Sequence, residues 1–178
     1  MNDIIDQKLL TEEEINTKPV AIKFGIIASF VAILTSVLLF ILDLEYSGLW
    51  KYLPIFFMAG IIFIAQQQLV KTNAPHIFTL GSLFKFGFII ALITAVAMLI
   101  YFIIYTNIIA PDYMDKILAV TRLELENKGL SEDQIETALN MSKKFMSPVL
   151  MMIIGFISNL ILGSLAALFG ALIFRNEK

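Results

Sequence analysis

Residues 129–148 read GLSEDQIETALNMSKKFMSP. By its signals this is a helix of a water-soluble protein. Ser131 is placed to accept a hydrogen bond from the Gln134 amide, and Gln134 to reach back, which makes a capping box. Leu130 and Ile135 stand at the positions of a hydrophobic staple. Glu132 and Asp133 lie at the positive end of the helix dipole, Lys143 and Lys144 at the negative end. Ile135, Ala138, Leu139, Ser142, Phe145 and Met146 share a weakly apolar face. Five charges fall between residues 131 and 147. At about 2.5–3.5 kcal/mol each near mid-membrane, they forbid this helix from crossing a bilayer.

Its surroundings are the opposite. Uncharged runs of 19 residues lie between Lys23 and Asp43 and between Lys51 and Lys71. Longer ones, of 26 and 30 residues, lie between Lys85 and Asp112 and between Lys144 and Arg175. About 20 apolar residues suffice to cross the hydrocarbon. In the first run 13 of the 19 residues are Phe, Ile, Leu or Val. They favour insertion by roughly 4–8 kcal/mol before the small polar residues subtract. An apolar core longer than that of a signal peptide, behind the acidic residues Asp3, Asp6, Glu12, Glu13 and Glu14, points to a retained first span.

These features predict an all-α integral membrane four-helix bundle with a polar helical hairpin between spans three and four. A polar tail covers residues 1–18; Thr11 and Glu14 could cap a short helix there, but a frayed tail that enters the membrane at Pro19 is the preferred reading, and a single transmembrane domain covers 19–178. The spans are expected over about 20–42, 52–70, 84–109 and 148–174, with the hairpin over 111–147. Pro111 opens the first hairpin helix and Gly129 closes it. Met114, Ile117, Leu118, Thr121 and Leu125 form that helix's apolar face. Ala110 precedes a proline, so span three should break or kink there. The uncharged stretch 72–84 is short, holds Asn73, Pro75, His76 and Gly81, and reads as a loop.

Composition narrows the chemistry. The chain is 58% hydrophobic and 16% charged, with a net charge of −2; nothing in that balance points to nucleic acid. It has no cysteine and one histidine, His76. A disulfide framework, a thiolate or multi-histidine metal site and a cysteine nucleophile are thereby excluded. Asp43 and Glu45 are two apart, so on a helix they would not face each other. No catalytic residue, metal ligand or cofactor is expected, and the chain reads as a non-enzyme.

Within the spans the strongest pattern is in the fourth, where Gly155, Asn159, Gly163, Ala167 and Ala171 recur every four residues. Small residues at this interval let helices approach closely in lipid, and Asn159 is expected to bond across helices. Tyr46, Trp50 and Tyr52 suit the headgroup level, as do Gln66, Gln67 and Gln68 near Lys71. The segments from Lys23 and Lys85 both open Lys-Phe-Gly and match at six of 19 positions, a weak sign of a parallel repeat. Lys8, Lys18 and Lys23 against Lys51 across span one tilt both termini to the cytoplasmic side.

The runs "LGSLFKFGFIIALITAVAMLIYFIIY", "APDYMDKI" and "LELENKGLSEDQIETALNMSKKFMSP", with "KFGIIASFVAIL" earlier, resemble the bacterial membrane family catalogued as domain of unknown function 4199. The resemblance covers about residues 20–175. It implies four spans, an acidic stretch before the last one and a place in the bacterial inner membrane. It carries no functional residues. The partners expected are the lipid bilayer and a protein partner or a second copy; the face offered is Ile135, Leu139 and Phe145. A structural or accessory protein is the preferred reading, a small oligomeric transporter or channel the alternative. Spans without deep ionisable residues disfavour the latter.

Overall fold

The computed structural model describes residues 16–46, 48–145 and 147–176. Most of the polar tail expected over 1–18, including the Thr11 cap, and the side chain of Phe145 lie outside the described residues. Among the described residues the chain is all-α: six helices and no strand. They are α1 (Lys18–Ile41), α2 (Leu53–Thr72), α3 (Leu80–Ile104), α4 (Tyr113–Asn127), α5 (Glu132–Phe145) and α6 (Pro148–Phe174). A short 3₁₀ turn, Trp50–Tyr52, leads into α2, and a π-helical turn, Tyr105–Ile109, extends α3. Four of these helices are long and apolar enough to cross a membrane: α1, α2 with its 3₁₀ turn, α3 with its π turn, and α6.

The spans form a bundle. Helix α3 packs along α6 and α1, and α2 bridges α1 and α6 from the other side. Their outer faces are large and apolar; Ile26, Phe30, Phe56 and Ile173 are each at least 60% exposed, as side chains turned to lipid must be. Their inner faces are made of small residues. Gly163 of α6 lies against Ala91 of α3, and Gly87 of α3 against Ala167 of α6. A Cβ added at either glycine would come within 2.6 Å of the facing alanine Cβ. This is an antiparallel small-on-small contact in which the backbones themselves touch. The sequence signal on α3 is Gly87, Ala91 and Ala95 at four-residue steps, all buried.

Gln66 of α2 closes this end of the bundle. It is fully buried, not interfacial as its neighbourhood suggests; Gln67 and Gln68 are exposed. Its Nε2 donates to the Leu83 carbonyl at 3.0 Å and the Ala167 carbonyl at 2.9 Å, joining three helices. Its Oε1 has no hydrogen-bond partner and lies against Gly170, where a Cβ would stand 1.9 Å away. Only hydrogen at that Cα leaves room for the amide, and a weak C–H···O contact is what remains for the oxygen. At the same end Asn176 accepts from the Phe78 N–H at 2.6 Å and donates to the His76 carbonyl at 2.9 Å. The turn before α3 is thus tied to the C-terminus. Helix α3 starts at Leu80, before the expected boundary near 84, because the Thr79 hydroxyl accepts from the Ser82 N–H and caps it.

The hairpin lies at the opposite end. Helix α4 stops at Gly129, with φ +74°, in a Schellman arrangement: Gly129 N–H bonds Glu126 and Leu130 N–H bonds Leu125. The Gln134 side chain accepts from the Ser131 N–H at 3.0 Å, the return arm of the capping box. Arg122 of α4 pairs with Glu126 at 2.9 Å and with Glu132 of α5. Ile135 is buried and Leu139 half-buried.

Gly163→Ala should lower stability by about 1–3 kcal/mol, because the new methyl overlaps Ala91. Gly155→Ala, on the same helix with open space around its Cβ, should leave stability unchanged or raise it by up to about 1 kcal/mol. Thermal melts of the two variants in the same lipid nanodisc check this.

Candidate functional site

Helix α6 is packed along only part of its length. Its buried residues are Gly163, Ala166, Ala167, Gly170 and Ala171; none comes from the half that follows the hairpin. The small-residue seam read from the sequence therefore divides. Gly163, Ala167 and Ala171 make the close contact, whereas Gly155 and Asn159 face a cavity of about 670 Å³. The Asn159 amide donates to the Gly155 carbonyl of its own helix at 2.9 Å, and the interhelical partner expected for it is replaced by open space. The volume falls within the range typical of small-molecule pockets, about 300–1,000 Å³.

All four spans line the cavity, and α4 covers it. Ser36 and Leu39 come from α1, Pro54 and Ile55 from α2, Ala95 and Met98 from α3, and Met151 and Met152 from α6. Ile117 and Thr121 from the expected apolar face of α4, with Val120 beside them, supply the roof. The exposed Lys51, Tyr52, Glu124 and Ile154 form its rim.

Its polar wall is a tyrosine cluster around one carboxylate. After α1, Asp43 adopts φ +53° and the Leu44 N–H bonds the Leu39 carbonyl, a Schellman turn with aspartate where glycine is usual. That turn carries Glu45 and Tyr46 under the bundle. From α3, the π turn closes with Ala110 N–H bonded to the Tyr105 carbonyl at 2.8 Å. Ala110 then leaves the helix at φ −135°, ψ 71°, as a residue before proline must. Tyr105 is 4% exposed and its hydroxyl donates to Glu45 Oε2. Tyr113 of α4 stacks edge-on against Tyr105 at 5.3 Å and lies 6.0 Å from Tyr46; Tyr101 lies 5.7 Å from Tyr105. The hydroxyls of Tyr46 and Tyr101 are buried without a hydrogen-bond partner.

Burial, and then the neighbouring Glu45 carboxylate, raise the Tyr46 and Tyr113 phenols above their ordinary value. Among the described residues no group of three or more His, Asp or Glu side chains is placed to hold a metal ion. Sequence reasoning missed this site because it treated its parts separately, with Glu45 only as half of a carboxylate pair with Asp43 and Tyr46 as a headgroup anchor. Periodicity does not join loop one, the end of α3 and the start of α4.

Fold and cavity together define a four-span helical membrane protein with a polar hairpin over one end of its bundle. The chain belongs to a family of proteins of unknown function, DUF4199, which it matches over residues 23–176. No curated protein and no solved structure matches it.

The raised phenols have a sign. The folded state holds these protons more tightly than the unfolded state, where tyrosine titrates near about 10. Their contribution is complete below about pH 10 and is lost as the pH climbs toward the folded values. The melting temperature should fall above about pH 10, and less steeply in Tyr46→Phe/Tyr113→Phe than in the wild type. A pH series of melts compares the slopes.

Proposed function

We propose that this is a non-catalytic, accessory-type integral membrane protein that works through the end of its bundle covered by the 111–147 hairpin. The observation that carries the reading is the cavity, which takes lining residues from all four spans and its roof from α4. A bundle selected only for stability would close that space, since unfilled volume costs contacts. Here the apolar face of α4 is turned to the cavity instead. The hairpin's cross-bridged, capped construction suits a roof that keeps its shape in water.

The alternative of transport by a single chain has less support. Passage needs a path through the bundle. The end away from the hairpin is filled by Gln66 and by glycine contacts that leave no room even for a methyl group. Holding a guest at one end fits this arrangement better than conducting it.

The test is a photoreactive benzoylphenylalanine placed in living cells at Met152, in the cavity wall, or at Phe30, on the lipid face. Met152 should yield one or a few discrete adducts, and Phe30 the broad mixture of bulk lipid. The same broad mixture from both positions would contradict the reading.

A further inference from the structure

We infer that the hairpin-covered cavity is a binding site for an amphiphile with a positively charged ammonium head. This rests on the reading of that end as the working end and adds the chemical class of the guest. Glu45 is a half-buried carboxylate in the cavity wall, and it takes part in none of the ion pairs among the described residues. Its bond is to a neutral donor, the Tyr105 hydroxyl. A carboxylate kept partly from water without a counter-charge is costly, and a cation supplied from outside relieves that cost.

The walls around it have the matching chemistry. Tyr46, Tyr101, Tyr105, Tyr113 and Phe102 place several aromatic rings beside one negative charge, with centroid separations of 5.3–6.0 Å within the group. Ring faces attract ammonium groups, and the attraction grows when water is excluded. Beyond the aromatic group the lining is apolar and adaptable, with Met98, Met151 and Met152, which suits a hydrocarbon body of no fixed shape. The other charged groups lining the cavity are Glu124 and Lys51. Lys51 is exposed and directed over the Tyr52 ring, 5.3 Å from its centroid. The lining thus carries two carboxylates against one ammonium, a balance that favours a cation.

The guest's head is either that of an aminophospholipid or that of a free lipophilic amine, and the test separates them. The full chain is purified in an uncharged maltoside detergent at pH 7. Octyltrimethylammonium, whose charge is permanent, and octanol, its uncharged counterpart, are titrated against it, with the melting temperature as readout. The cation should give a saturable rise, and octanol should need at least about tenfold more to reach the same shift. Glu45→Gln, which keeps shape and the acceptor for Tyr105, should erase the preference for the cation. Gly155→Phe, whose side chain enters open space, should abolish the shift by filling the cavity. Chain reconstituted with phosphatidylglycerol and phosphatidylethanolamine in equal amounts is then examined by native mass spectrometry. Retained phosphatidylethanolamine that the cation displaces assigns the head to a lipid; cation binding with no retained amine lipid assigns it to a free amine. Equal shifts from octanol and the cation, or an unaltered preference in Glu45→Gln, would overturn the ammonium inference. Should Glu45→Gln fail to fold, the comparison of the two probes on the wild-type chain decides alone. If the two probes shift the wild type equally and Gly155→Phe removes both shifts, the cavity survives as a site and only the charge requirement fails; if Gly155→Phe alters nothing, both readings fall.

Discussion

The structure depends on how closely α3 and α6 approach each other. Lipid offers no hydrophobic drive to pull two apolar helices together, so association must come from backbone proximity and a few polar contacts. Gly87 and Ala91 on one helix and Gly163 and Ala167 on the other supply that proximity. Each glycine receives the alanine opposite, and the two helices fit in one antiparallel register. The Gln66 amide then reaches carbonyls on both helices at once. Its two bonds place α2 against the α3–α6 pair, and Gly170 gives its oxygen room.

A contact this tight at one end has a consequence at the other. The buried part of α6 begins at Gly163; from there back to Pro148 the helix has no buried residue, and Gly155 and Asn159 face open volume. The hairpin joins α3 to α6 at this wider end. Its first helix supplies both a roof and Tyr113, which completes the aromatic group around Glu45. The charged insert between two greasy spans therefore has a structural reason: its charges keep it out of the hydrocarbon, and its inner face covers the cavity mouth. Packing and electrostatics separate along the bundle axis, with close backbone contact at the terminal end and the unpaired carboxylate at the hairpin end.

Much of the fold was legible in the residues, because solvent physics acts on composition. The distance between charges delimits the spans, and the charges after Gly129 keep α5 out of the membrane. Gly129 and Gln134 act locally and do what their types dictate. What was not legible depends on direction around each helix. Nothing in AQQQLVK says that Gln66 points inward while Gln67 and Gln68 point out; that follows from the rotation of α2 against α3 and α6. Gly155 and Gly163 share one stripe, yet one packs and the other lines a cavity, because the stripe is longer than the contact. The start of α3 at Leu80 was hidden by prolyl and polar residues that Thr79 turns into a cap. The grouping of Glu45 with tyrosines from three separate segments is a tertiary fact with no sequence period.

The register of α3 on α6 is open to one direct measurement, a double-mutant cycle across the seam. Gly163→Ala introduces a methyl that meets the Ala91 methyl, and Ala91→Gly removes the obstacle. If the two residues face each other, the double variant Gly163→Ala/Ala91→Gly melts close to the wild type, and the coupling between the two changes is favourable by about 1–2 kcal/mol. If the losses of the two single variants simply add, the residues are not opposed, and the antiparallel seam on which the bundle and its cavity rest is wrong.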